Sequence, residues 1–194
     1  MKRGPGRGLG RVLGIDCGSG ATGYGVIEPG GRTSRIVASG VILASARLSF
    51  PERLKIIAEG LSRVIETYAP DAVAVEEVFY SVNVKSALKL GHVRGVALLK
   101  AAEAGLPVHE YSPLQIKSSV VGYGRAEKAQ VQHMVKALLR LDDLPPEDAA
   151  DALAVALCHA HCAQTQEKLA SARSGRTAPT PVRVRAGSEQ SSQV

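Results

Sequence analysis

The chain has 194 residues, 45% hydrophobic and 22% charged, a balance that suits one domain with a single core and excludes a disordered polymer. No apolar run approaches the ~18 residues of a membrane span. The formal charge is +6, and the three cysteines, Cys17, Cys158 and Cys162, are too few and too odd in number for a disulfide framework.

The first strand is predicted at Val12–Asp16 (VLGID), and a Gly-rich turn leads to a second at Tyr24–Glu28. Pro29, Gly30 and Gly31 turn the chain into a third at Ile36–Ala44, so three strands with short connections predict an antiparallel meander. From Pro51 the period changes. Leu54, Ile57, Leu61, Val64, Ile65 and Tyr68 form the stripe of an amphipathic helix, with Pro51 in its first turn. Residues 71–76 (DAVAVE) read as a buried strand, about 84–104 as a helix, and 107–111 (PVHEY) as another strand, an order that implies parallel crossovers. Helices are predicted at about 113–121, 127–139 and 147–162. The expected fold class is therefore α/β, a five-stranded mixed sheet flanked by helices.

Charge divides the chain further. Residues 1–10 hold Lys2, Arg3 and Arg7 without an acid and are expected to be a flexible basic extension; residues 11–162 form the domain. Residues 163–194, rich in Ser, Gln, Arg, Pro and Thr, are expected to be a disordered basic tail. Within the domain, nine bases against three acids over 85–140 lie between acidic flanks, and residues 141–162 hold five acids and no Lys or Arg. A phosphate-gripping surface beside a cation-gripping one suits this segregation. After the basic start, Asp16 cuts the apolar stretch short of a secretory signal, so a cytoplasmic location is expected and no membrane partner.

Two carboxylates end strands, Asp16 the first and Glu76 the fourth. If those strands are neighbours, both emerge at one edge of the sheet, where open α/β sheets place their ligands. Asp148 and Asp151, three apart on the last helix, share a face. Four like charges so gathered raise one another's pKa, and a hard divalent cation with oxygen ligands relieves the repulsion. Spacing alone leaves blander readings open. First-turn acids such as Glu147 and Asp148 answer the helix dipole, and perturbed acids also occur in structural networks.

Four blocks carry more than their spacing: GIDCGSGATGYGVIE at 14–28, VEEVFYSVNVKSALKLGHVRG at 75–95, SSVVGYGRAEKAQVQHMV at 118–135 and DAADALAVALCHAH at 148–161. Running in order from Val12 to His161, they resemble the RuvC family of bacterial Holliday-junction resolvases. The resemblance implies an RNase H-like fold, a homodimer, and Mg²⁺-dependent paired nicking of four-way DNA junctions in recombination and repair, leaving 5′-phosphate and 3′-hydroxyl ends. It makes Asp16, Glu76, Asp148 and Asp151 the metal-binding catalytic acids, with two Mg²⁺ per subunit and Mn²⁺ as a substitute, and adds Lys117 and Lys128 as catalytic, DNA-contacting bases. Phe79 matches a family aromatic that stacks on or wedges against junction bases, a role Tyr80 shares. Lys85, Lys89 and Arg94, at helical spacing, are expected to reach phosphates. The RuvA and RuvB branch-migration proteins are the implied partners.

One departure is plain, since Cys17 stands where the family usually has Pro, although Gly18 is kept. The CHAHC run at 158–162 looks like part of a zinc site, but no fourth ligand is evident. Actin-like ATPases and sugar kinases also open with a strand ending in Asp before a Gly-rich turn. They need a second lobe for which this chain is expected to have no room, and no G-x-x-x-x-G-K-[ST] occurs. A nuclease of the same fold acting on ribosomal RNA precursor, and a DNA-binding protein without catalysis, remain as alternatives.

Overall fold

A computed structural model describes residues 9–30, 33–77 and 84–174. Its elements are β1 (Val12–Asp16), β2 (Ala21–Glu28), β3 (Arg35–Leu43), α1 (Phe50–Tyr68), β4 (Ala72–Glu76), α2 (Val84–Glu103), β5 (Val108–Tyr111), α3 (Pro113–Val121), α4 (Lys128–Leu139) and α5 (Glu147–Ser174). The sheet order is β3-β2-β1-β4-β5. β1 and β3 run antiparallel to β2, while β4 lies parallel to β1 and β5 to β4. This is the expected five-stranded mixed sheet.

Strand alternation sorts side chains onto two faces. Leu13 and Ile15 of β1, with Val73 and Val75 of β4, join Ile57, Leu61, Val93 and Ala97 in the core under α1 and α2. Val12 and Ala74 belong to the opposite core, with Val131, Val135, Leu153 and Leu157 of α4 and α5. Both faces are covered, which is why the central strands read as continuous apolar runs. Position 16 on β1 and position 76 on β4 therefore fall on the α5 side.

Two glycines let α5 lie close to the sheet. A Cβ on Gly14 would stand 2.1 Å from the Ala152 carbonyl oxygen, and one on Gly23 only 1.9 Å from that of Asp148. Only hydrogen fits at these positions, so helix backbone rests on strand backbone over β1 and β2.

Two expected boundaries move. β2 begins at Ala21 rather than Tyr24, because the turn needs only 17–20: Thr22 closes it by donating its hydroxyl to the Gly18 carbonyl at 2.8 Å. α5 continues to Ser174 instead of stopping at Cys162. Residues 163–174 hold Ala, Gln, Glu, Lys and Leu with no Gly or Pro, all good helix formers except a few Ser and Thr, and helix already formed propagates into them. Averaging composition over the whole of 163–194 concealed that stretch. No helix of the described residues is long and apolar enough to cross a membrane.

Candidate active site

The parallel pairing of β1 with β4 sets Ile15 opposite Val75, so the next residue of each strand, Asp16 and Glu76, emerges at the same sheet edge on the same face. α5 crosses that face with Asp151 one turn into the helix. The three carboxylates line a cleft of about 290 Å³ together with Lys117 from α3, Lys128 from α4, and the apolar side chains of Ile116, Val131 and Val155. Asp148 is held by the close contact of its backbone with Gly23, and its charge acts on both Asp16 and Asp151.

Burial, then the charges of Asp151, Glu76 and Asp148, push Asp16 up to about 7, against an opposing pull from Lys128. Glu76 is raised by burial and by Asp151, while Lys117 and Lys128 draw it back. Asp151 is raised by burial as well, and Lys128 opposes the shift. The Lys128 ammonium stands 2.7 Å from Glu147 Oε1 and 3.4 Å from Asp151 Oδ2, and these partners hold its pKa above the usual lysine value. Four carboxylates and two lysines thus share one electrostatic neighbourhood.

The remaining expected residues differ in setting. Lys85 and Lys89 are exposed on α2, Lys89 with its ammonium 6.0 Å from the Phe50 ring centroid. Arg94 is paired internally, its guanidinium bridging to the Glu110 carboxylate of β5 and donating from Nε to the Glu76 carbonyl at 3.4 Å. Phe79 and Tyr80 lie outside the described residues.

The RuvC family profile, "Crossover junction endodeoxyribonuclease RuvC", matches residues 12–159. The chain belongs to the RuvC family. The RuvC of Citrifermentans bemidjiense is 56% identical over 152 residues, which cover 78% of this chain and 93% of the relative. That of Geobacter sulfurreducens is 55% identical over 163 residues, covering 84% and 99%. Among solved structures, Thermus thermophilus RuvC in complex with Holliday junction substrate superposes with a TM-score of 0.76 at 38% identity, over 80% of this chain and 96% of that one. The RNase H-like fold expected from the sequence is therefore the fold of the family. The protein is a hydrolase, a crossover junction endodeoxyribonuclease, and RuvC nucleases are metal-dependent.

The donor set fits a hard divalent cation. All four acids offer carboxylate oxygens, and burial, with neighbouring acid charge second to it, pushes Asp16, Glu76 and Asp151 upward, a cost that a bound cation would offset. Among the described residues, no three His, Cys, Asp or Glu side chains are already arranged to hold one ion.

Cys17 is partly buried beside Asp16. Burial first, and then that carboxylate, push its thiol up to about 12, so it stays protonated. In the CHAHC run, Cys158 is buried in the apolar core, and His161 Nδ1 is 3.1 Å from both the hydroxyl and the carbonyl of Ser119. Sequence reasoning missed two partners. The helix dipole alone accounts for Glu147 in the sequence, and Glu110 reads there only as a residue of a short strand, although period 2 sets it on the face opposite Tyr111.

Proposed function

We propose that the protein is a Holliday-junction resolvase that hydrolyses one phosphodiester per subunit, on paired strands of a four-way DNA junction, with two Mg²⁺ per subunit and Mn²⁺ as a working substitute. The observation that carries this reading is the β1–β4 register beneath α5, which sets Asp16, Glu76 and Asp151 beside Lys117 and Lys128 in one cleft. Asp16, Glu76, Asp148 and Asp151 hold the metal. A cation pair held there would polarise the phosphate and lower the pKa of the attacking water.

Water attacks phosphorus, the bond from phosphorus to O3′ breaks, and the products carry 5′-phosphate and 3′-hydroxyl ends. Lys117 and Lys128, at the rim of the cleft, face the scissile phosphate and stabilise the charge that develops on its oxygens. The Ile116, Val131 and Val155 wall limits water to the reacting site. Phe79 and Tyr80 follow Glu76 closely in sequence and engage junction bases by stacking. Lys85 and Lys89 grip phosphates along α2, while Arg94, already paired, contributes to DNA contact by bracing α2 on the end of β4.

Paired nicks require two subunits in two-fold relation. The α2 surface supplies a face for the second copy: Leu54, Ala87, Leu88, Gly91, His92, Gly95, Val96 and Leu99 line an open apolar groove of about 550 Å³. Leu88 is 60% and Leu99 55% exposed, more apolar surface than a lone helix leaves to water without reason. The protein works in the cytoplasm with the RuvA and RuvB branch-migration proteins. Competition assays test the substrate. Cleavage of a labelled junction in Mg²⁺ that unlabelled junction suppresses, and structured RNA or linear duplex does not, supports the reading; suppression by RNA would favour an RNA-processing nuclease.

A further inference from the structure

We propose that Glu147 is a positioning residue for Lys128, holding its ammonium at the rim of the cleft so that Asp151 stays available to a divalent cation. This rests on the assignment of Lys128 and Asp151 to the active site. Lys128 is the first residue of α4 and Glu147 the first of α5, with Asp151 one turn further along the same helix face. One ammonium therefore sits against two carboxylates, 2.7 Å from Glu147 and 3.4 Å from Asp151.

The two acids differ in setting. The Glu147 side chain is 63% exposed and that of Asp151 28%, so an ion pair formed wholly with Asp151 is screened less by water and salt. An ammonium settled there competes with a divalent cation for the same oxygens. Glu147 offers it a second anchor, and the hydrogen bond to that anchor is the shorter one. The helix dipole explains an acid at the first position of α5, but it does not explain why that acid grips a lysine from another helix. With Gln at 147, a charge-assisted hydrogen bond becomes a neutral one of roughly half the strength, and the ammonium falls back on Asp151.

The test is a double-mutant cycle over Glu147→Gln and Lys128→Ala, read by calorimetry of Mn²⁺ binding to the DNA-free protein and by the Mg²⁺ dependence of junction cleavage. Glu147→Gln alone should weaken Mn²⁺ binding about five- to tenfold, the effect of losing a charge-assisted contact, and raise the Mg²⁺ needed for half-maximal cleavage in parallel. Saturating Mg²⁺ should recover most of the lost rate. In the Lys128→Ala background the same substitution should change Mn²⁺ binding less than about twofold, because the competitor is gone. An equal loss in both backgrounds would show Glu147 acting as a simple negative charge and would overturn the proposal, as would no loss in either. If Lys128→Ala alone left cleavage and Mn²⁺ binding unchanged, the assignment of Lys128 to the site would fail, and the proposal with it.

Discussion

Gly23 of β2 and Asp148 of α5 meet backbone to backbone, so closely that a Cβ on Gly23 would lie 1.9 Å from the Asp148 carbonyl oxygen. The contact fixes the height of the acid-bearing helix over the sheet. Gly23→Ala forces α5 outward, and overpacking of this kind costs about 1 to 3 kcal/mol. A displacement near 1 Å also lowers cleavage by roughly a hundredfold. Urea unfolding and junction cleavage measured side by side check both effects.

Asp16 gives the metal-free protein a distinctive pH response. A carboxyl raised to about 7 from an ordinary 3.8 binds more protons in the folded state than in the unfolded one. Its contribution is present below pH 3.8 and is lost as pH rises to 7. In chelator, Asp16→Asn should therefore be more stable than the parent at pH 8, by on the order of 2 kcal/mol, with the advantage vanishing toward pH 4. Thermal unfolding across that range decides it, and a constant difference would contradict it.

His159 responds with the opposite sign. It is buried, stacked on His109 with ring centroids 4.2 Å apart, and its Nδ1 lies 2.7 Å from the Tyr111 hydroxyl. Burial, then His109, lower its pKa to about 4, so the unfolded chain takes up the proton first. Stability from this residue is complete above pH 6.5 and falls as pH drops toward 4, by no more than about 3 kcal/mol. His159→Phe should remove that share of acid sensitivity; melting curves at pH 7 and pH 5 for both proteins compare it.

The α2 face predicts the assembly. Leu88→Glu places a charge on an exposed groove residue, so the fold is kept while a two-fold apolar interface is broken. Sedimentation should give a dimer for the parent and a monomer for the variant, with junction products changing from paired nicks to single ones. An unchanged dimer would move the interface elsewhere.

The acids were legible because strand ends and helix spacing are local: Asp16 and Glu76 close two short apolar runs, and Asp148 and Asp151 lie three apart. Their convergence also needed the β1–β4 neighbour relation and the close seat of α5, which depend on Gly14 and Gly23 facing a helix more than a hundred residues away in sequence. Placement on separate elements hid Glu147 of α5 from Lys128 of α4 and Glu110 of β5 from Arg94 of α2. Tail composition misled at Ala163, where a helix-forming stretch was averaged with the residues after it. Lys117, Lys128 and Phe79 are candidates only through the family resemblance, since a single surface lysine or a lone Phe has no spacing of its own.

The most direct test is cleavage of a strand-labelled mobile four-way junction in Mg²⁺, beside matched linear duplex, by the parent and by Asp16→Asn. Symmetric nicks in the junction alone, absent with the variant while junction binding persists, are the predicted result. Equal cleavage of duplex, or nicking that survives Asp16→Asn, would contradict the assignment of this carboxylate cleft as the centre of a junction resolvase.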